Sequence, residues 1–195
     1  MLKAGFIGAG GRARGAHYPA LDAIDDVEIV SVCELDEERM KLVVDQYGIE
    51  KTFTDHREML ATVDLDVVYC VMREWVLLQP ALDCLNAGKH LFIEKPPGAT
   101  SAETQQMLDA AISNNVHCCV GLQRRYASVT QEAMRRVAEK GPTSMASATF
   151  NKQMLGGDGT ERTTTLWNDV VHVVDLLRYL AGGEPTEVTA YRDSF

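Results

Sequence analysis

Over residues 1–122, short apolar runs alternate with longer segments whose apolar positions recur at helical spacing. The runs Lys3–Ile7, Glu28–Cys33, Val67–Met72, His90–Glu94 and His117–Leu122 read as strands. Several are apolar almost without interruption, as strands covered by helices on both faces are. Helices are expected near Arg12–Ile24, Asp36–Tyr47, Leu77–Asn86 and Ala102–Asn114. Punctuation supports these limits: Ser101 with Thr104 after Pro96-Pro97-Gly98 as a helix start, and Ala87-Gly88 as a helix stop. Alternation at this spacing predicts an α/β class fold, a Rossmann-type doubly wound parallel sheet.

The pattern changes after Tyr126. A helix is expected over Thr130–Lys140, ended by Gly141-Pro142, then a strand-like Met145–Phe150 and a glycine-rich loop, Gly156-Gly157-Asp158-Gly159. A second helix, Leu166–Ala181, stops at Gly182-Gly183 before strand-like Thr186–Tyr191. Residues 1–122 thus form one expected domain, and 123–195 a partial α+β domain, because two strands and a helix cannot make a well-covered sheet alone.

Composition narrows the partners. The formal net charge is −9 over 195 residues, so no basic stripe exists to displace counterions from nucleic-acid phosphates or to hold an anionic membrane. No apolar run reaches the ~20 residues that span a bilayer, and the first strand runs straight into a glycine turn where a signal peptide would lie. The five cysteines, Cys33, Cys70, Cys84, Cys118 and Cys119, show no C-x-x-C spacing. They read as free thiols, most of them buried, of a soluble cytoplasmic protein, with no metal site expected.

The first glycine turn carries the clearest chemistry. Gly8-Ala9-Gly10-Gly11-Arg12-Ala13 matches G-x-G-x-x-A between an apolar strand and a helix, the setting in which that pattern binds a dinucleotide. Gly8 permits the tight turn, Gly10 lets backbone approach a pyrophosphate, and Ala13 lets helix and sheet pack closely. The helix start offers N–H groups and a favourable dipole to the phosphates. Glu34 ends the second strand, where a carboxylate accepts hydrogen bonds from the adenosine ribose and repels a 2′-phosphate. Leu35 offers that phosphate no charge. NAD is therefore expected over NADP. Asp36 reads simply as a helix cap.

At the end of the strand-like run His90–Glu94 stands Glu94-Lys95-Pro96-Pro97. Ligands of doubly wound sheets bind outside the carboxyl ends of strands, although a lysine there, taken alone, is as simply a surface residue. Together, Gly5-Phe6-Ile7-Gly8-Ala9-Gly10, Ala87-Gly88-Lys89-His90, Glu94-Lys95-Pro96, Gly121-Leu122-Gln123-Arg124-Arg125-Tyr126 and the helix bearing His172 resemble the glucose–fructose oxidoreductase, inositol dehydrogenase and rhizopine-catabolism (Gfo/Idh/MocA) family. These segments run in family order over nearly the whole chain.

The resemblance implies an NAD-dependent oxidoreductase that transfers hydride between nicotinamide and a hydroxyl or carbonyl carbon of a sugar, polyol or related small molecule. It implies a catalytic Lys95 bonded to the reacting oxygen. Gly11, Arg12, Glu94 and Arg125 would join Gly8, Gly10, Ala13 and Glu34 around the cofactor, Arg125 with the weakest claim. His172 would be the general acid or base, with Asn168 toward a substrate hydroxyl.

Asn168, His172, Asp175 and Tyr179 recur as a polar line beside a buried stripe that includes Val170, Val173 and Leu177. Family members often carry an Asp four residues before the histidine. Here Asn168 holds that position, so Asp169 or Asp175 would orient the imidazole. Met72-Arg73-Glu74-Trp75-Val76 also departs from the family's proline-rich turn, which puts substrate choice in doubt. Two other functions remain open: redox-neutral use of NAD as in glycosidase-like relatives, and a cofactor-binding module without catalysis. Relatives carry a broad C-terminal sheet that often mediates dimers, so this chain is either a fragment or a short form that completes its sheet as a homo-oligomer.

Overall fold

The structure, a computed structural model, describes residues 1–151 and 166–191. The chain divides into two units, Met1–Gly121 and Leu122–Phe195.

The first unit is built on a parallel sheet. Its strands are β1 (Leu2–Ile7), β2 (Val27–Cys33), β3 (Lys51–Phe53), β4 (Val67–Cys70), β5 (His90–Ile93) and β6 (Cys118–Val120), in the spatial order β3-β2-β1-β4-β5-β6. The order reverses direction between β1 and β4, which marks the crevice where doubly wound sheets bind ligands. The connecting helices are α1 (a π-helical turn Ala13–His17 running into Tyr18–Asp22), α2 (Glu37–Tyr47), α3 (His56–Thr62), α4 (Glu74–Asn86) and α5 (Ser101–Ser113). The Rossmann expectation from strand–helix alternation is met.

Side-chain alternation along the strands feeds two cores. Ala4, Phe6 and Val32 face α1 and α2, packing with Ala13, Tyr18, Leu21 and Val43. Ile7, Cys33, Val68, Cys70, Leu91 and Ile93 face the other way, against Met59 of α3, Leu77, Ala81 and Leu85 of α4, and Met107 and Ala111 of α5. On the first face the rings of Tyr18, Phe6, Tyr69 and Phe92 form a ladder, with successive centroids 3.8, 5.2 and 4.8 Å apart. Burial holds the Cys33 and Cys118 thiols up to about 11 and Cys84 up to about 12, so all three stay protonated at neutral pH. Cys119 is exposed.

Three local expectations need correction. β3 and α3 were not expected from the hydrophobic pattern. β3 is a three-residue edge strand with two exposed residues, too short for a period to register. α3 does carry a readable signal, because the Asp55 carboxylate accepts from the Arg57 N–H at 2.9 Å ahead of buried Met59. The cap of α5 is Thr100, one residue earlier than expected. Its hydroxyl accepts from the Glu103 N–H, while the Glu103 carboxylate reaches back to the Ala99 N–H.

In the second unit, a 3₁₀ turn Gln123–Tyr126 leads into α6 (Ser128–Ala138). Helix α7 begins as a π turn, Leu166–Val170, continues as Val171–Ala181 and stops at Gly182, whose φ is +70°. Met145–Phe150 and Thr186–Tyr191 form no ladder among the described residues, contrary to the strand reading. Apolar alternation makes a segment suited to a sheet, yet only a hydrogen-bonded neighbour makes it a strand. The expected glycine-rich loop, Gly156–Gly159, lies outside the described residues. No helix among the described residues is long and apolar enough to cross a membrane.

Candidate functional site

The turn after β1 is shaped by a steric demand at one glycine and by openness at two others. Gly8 has φ +102°, and a Cβ there would stand 2.5 Å from the Val71 carbonyl oxygen, so only glycine fits. The Gly8 N–H bonds the Cys33 carbonyl at 2.9 Å, and the Val71 N–H bonds the Ile7 carbonyl at 2.9 Å, which pins the turn between β2 and β4. At Gly10 and Gly11 an added Cβ would meet nothing within 4 Å. Packing does not demand glycine there; its effect is to bare the backbone at the mouth of the switch point. Ala13 is fully buried against the sheet. Helix α1 therefore begins with its first N–H groups, which have no partners within the helix, close to an exposed backbone cradle. A dinucleotide pyrophosphate fits these features.

Glu34, just past β2, is tied to that turn. One carboxylate oxygen accepts from the Ala9 N–H at 2.7 Å, and the other from the Leu35 and Asp36 N–H groups at 2.8 and 3.1 Å. A carboxylate offers about four lone-pair sites, so three donors leave room for a ribose hydroxyl. Leu35 beside it is 80% exposed and uncharged. Asp36 caps α2 through the Arg39 N–H at 3.1 Å, as expected.

Glu94 forms the second cluster. Its carboxyl group is buried, and one oxygen receives both Arg12 Nε and His17 Nε2 at 2.7 Å. The other oxygen accepts the Lys95 N–H at 3.1 Å. Burial alone would push this carboxyl upward, but the hydrogen bonds from His17 and Arg12, the Arg12 charge and the Lys95 N–H together pull it down to about 2. His17 is fixed from its other side as well, its ring centroid lying 5.0 Å from Phe92 and 6.1 Å from Tyr69. Gly121 closes the cluster, since a Cβ there would crowd the Phe92 ring and a Glu94 oxygen. Lys95 follows at the carboxyl end of β5, half-buried, joined to Pro96 by a cis bond. The structure thus joins Arg12 to Glu94 and Glu94 to Lys95. The sequence reading missed His17, although it lies five residues after Arg12 on the helix that the glycine motif opens.

In the second unit, Arg125 and Asp175 make a two-pronged ion pair, Nε to Oδ2 at 2.7 Å and Nη2 to Oδ1. Asp175 is buried, and the Arg125 guanidinium also lies 5.5 Å from the centroid of the Tyr179 ring. Gln131 Nε2 donates to the Tyr179 hydroxyl at 2.9 Å. Both Asp175 oxygens therefore accept from Arg125, which leaves a lone pair on each for a further donor. His172 is buried one turn earlier on α7. Asn168 and Asp169 stand on the π-wound turn, where i→i+5 bonding alters the spacing to His172 assumed from an ideal helix. Among the described residues, no group of three or more His, Cys, Asp or Glu side chains could hold a metal ion.

Comparison with known proteins extends these observations. A family model for an oxidoreductase family with an NAD-binding Rossmann fold, Gfo/Idh/MocA, matches residues 2–122. The 4-carboxy-2-hydroxymuconate-6-semialdehyde dehydrogenase of Sphingobium sp. (strain NBRC 103272 / SYK-6) is 31% identical over 85% of this chain and 55% of its own length. The inositol 2-dehydrogenase of Salmonella paratyphi B (strain ATCC BAA-1250 / SPB7) is 24% identical over 97% of this chain and 57% of its own. The WlbA dehydrogenase from Chromobacterium violaceum, solved in complex with NADH and UDP-GlcNAcA, superposes with a TM-score of 0.66 at 27% identity, over 71% of this chain and 40% of that one. The chain spans a little over half the length of the curated relatives it matches.

Proposed function

This chain belongs to the Gfo/Idh/MocA oxidoreductase family, and on that premise we propose that it acts as an NAD-dependent dehydrogenase interconverting a hydroxyl and a carbonyl carbon on a sugar, polyol or related small molecule. The observation that carries the reading is the glycine turn. Gly8 is forced by packing, while Gly10 and Gly11 leave bare backbone at the switch point. Those residues, the start of α1 and Glu34 would hold the dinucleotide, with Glu34 and Leu35 favouring NAD over NADP. When bound, the nicotinamide supplies the two-electron redox chemistry.

The chain's own residues would manage position and protons. The Lys95 ammonium would donate a hydrogen bond to the reacting oxygen and steady negative charge that develops on it. His172 would exchange the hydroxyl proton at a ring nitrogen, with Asp169 orienting the ring and Asn168 bonding a substrate hydroxyl. Glu94 would serve the site through Arg12 and the Lys95 N–H, and Arg125 through its hold on Asp175. The substrate class is supported by the relatives' names, an inositol dehydrogenase and an enzyme holding UDP-GlcNAcA.

Calorimetry with NAD and NADP, followed by absorbance of reduced nicotinamide across a panel of sugars, polyols and uronates, tests the reading. NAD should bind more tightly than NADP, with at least one panel compound reducing it. NAD binding with no turnover anywhere in the panel would overturn the dehydrogenase assignment and leave a binding module.

A further inference from the structure

Glu94 holds more partners than a cofactor contact requires, and they come from two separate elements. Arg12 stands at the N-cap of α1 and His17 lies on that helix, which the glycine turn opens, and both reach one Glu94 oxygen at 2.7 Å. The remaining oxygen accepts the Lys95 N–H at 3.1 Å. The carboxylate therefore links the helix that begins at the dinucleotide cradle to the backbone of the lysine at the end of β5. His17 is the more rigid of the two α1 contacts. Its side chain is 13% exposed against 52% for Arg12, and its ring rests on the aromatic ladder at Phe92 and Tyr69. That ladder is itself set by the strand register, which places Tyr69 beside Phe92.

We propose that His17 is a positioning residue, which latches Glu94 and so sets the backbone of Lys95 relative to the glycine turn. In its kinetic consequence the inference rests on the dehydrogenase reading above; in its structural consequence it does not. His17 touches neither cofactor nor substrate. Its effect passes through Glu94, and a side chain that donates from the Nε2 position would preserve it.

The test compares His17→Leu, which keeps bulk and loses the donor, with His17→Gln, whose amide nitrogen reaches the same place. Hydrogen exchange at the Lys95 amide is the direct readout, with the amides of Val32, Val68 and Leu91 as core references. Losing one charge-assisted bond should speed Lys95 exchange in His17→Leu by about tenfold, with the reference amides unchanged and His17→Gln close to wild type. In turnover, kcat should fall while KM and the NAD dissociation constant hold. Unchanged Lys95 exchange in His17→Leu, or failure of His17→Gln to restore it, would overturn the proposal. If His17→Leu does not fold, Glu94→Gln tests the same link from its other end and should loosen the Lys95 amide likewise. A wild type that binds NAD without turnover would defeat the dehydrogenase reading, while the exchange data still decide the latch.

Discussion

The two units hold their candidate residues by different means. In the first, a sheet with two buried faces fixes backbone, and the backbone presents the chemistry: a glycine that cannot be replaced, N–H groups at a helix start, a lysine at a strand end. In the second, α6 buries no residue, and the buried polar side chains among those described are His172 and Asp175. There the candidate site is held by side-chain pairing, Arg125 with Asp175 and Gln131 with Tyr179. Core-fixed backbone resists surface mutation and fails abruptly when overpacked. A site held by a polar pair fails when either partner is removed. One tryptophan lies in each unit, Trp75 and Trp167, so single-tryptophan variants can follow them separately.

The largest effect is expected at Gly8. Gly8→Val adds both a clash with the Val71 carbonyl and an unfavourable positive φ, costing about 4 kcal/mol. Denaturant unfolding followed at Trp75 should show it, and a loss under half that size would mean the turn relaxes.

Acid provides the next break. The Glu94 pKa is depressed from 4.5 to about 2, so its contribution is complete above about pH 4.5 and vanishes as pH falls toward 2. The shift corresponds to about 3 kcal/mol. Glu94→Gln should therefore flatten the acid limb of first-unit stability between those values. An identical limb in the variant would refute the assignment.

Asp175→Ala should cost about 2 kcal/mol, less than a fully buried pair, because the orphaned Arg125 is a third exposed and regains water. Exchange along α7 should rise, while NAD affinity, a first-unit property, stays constant. A parallel fall in NAD affinity would mean that the Arg125–Asp175 pair contributes to cofactor binding.

Cofactor choice should move with one residue: Leu35→Arg offers a 2′-phosphate a cation and should shift the NADP-to-NAD affinity ratio by about tenfold, read by calorimetry. The smallest stability change belongs to Gly10→Ala, within about 0.5 kcal/mol because the new Cβ meets no protein atom. It should nevertheless weaken NAD binding, and unchanged affinity would remove Gly10 from the cradle.

Sequence legibility followed the physics of each feature. The long helices and apolar strands of the first unit were readable because burial imposes a period on many residues at once. Glu34 and Lys95 were readable as candidates because the motif before each marks a strand end. The fates of Met145–Phe150 and Thr186–Tyr191 were not, because alternation records only suitability for pairing. His17 went unread because a histidine on a helix gives no sign of which distant carboxylate it meets.

By itself, then, the sequence determined the Rossmann architecture, the switch-point glycine turn and the family. Each of these depends on local pattern and on the order and spacing of segments along the chain. Only tertiary structure decided that Glu34 closes on Ala9, that His17 and Arg12 share one oxygen of Glu94, and that Asp175 belongs to Arg125. Such partners stand 25 to 82 residues apart along the chain. Hydrogen bonds and ion pairs act over a few ångströms, so the packing of the sheet and helices chooses which charged groups come within reach.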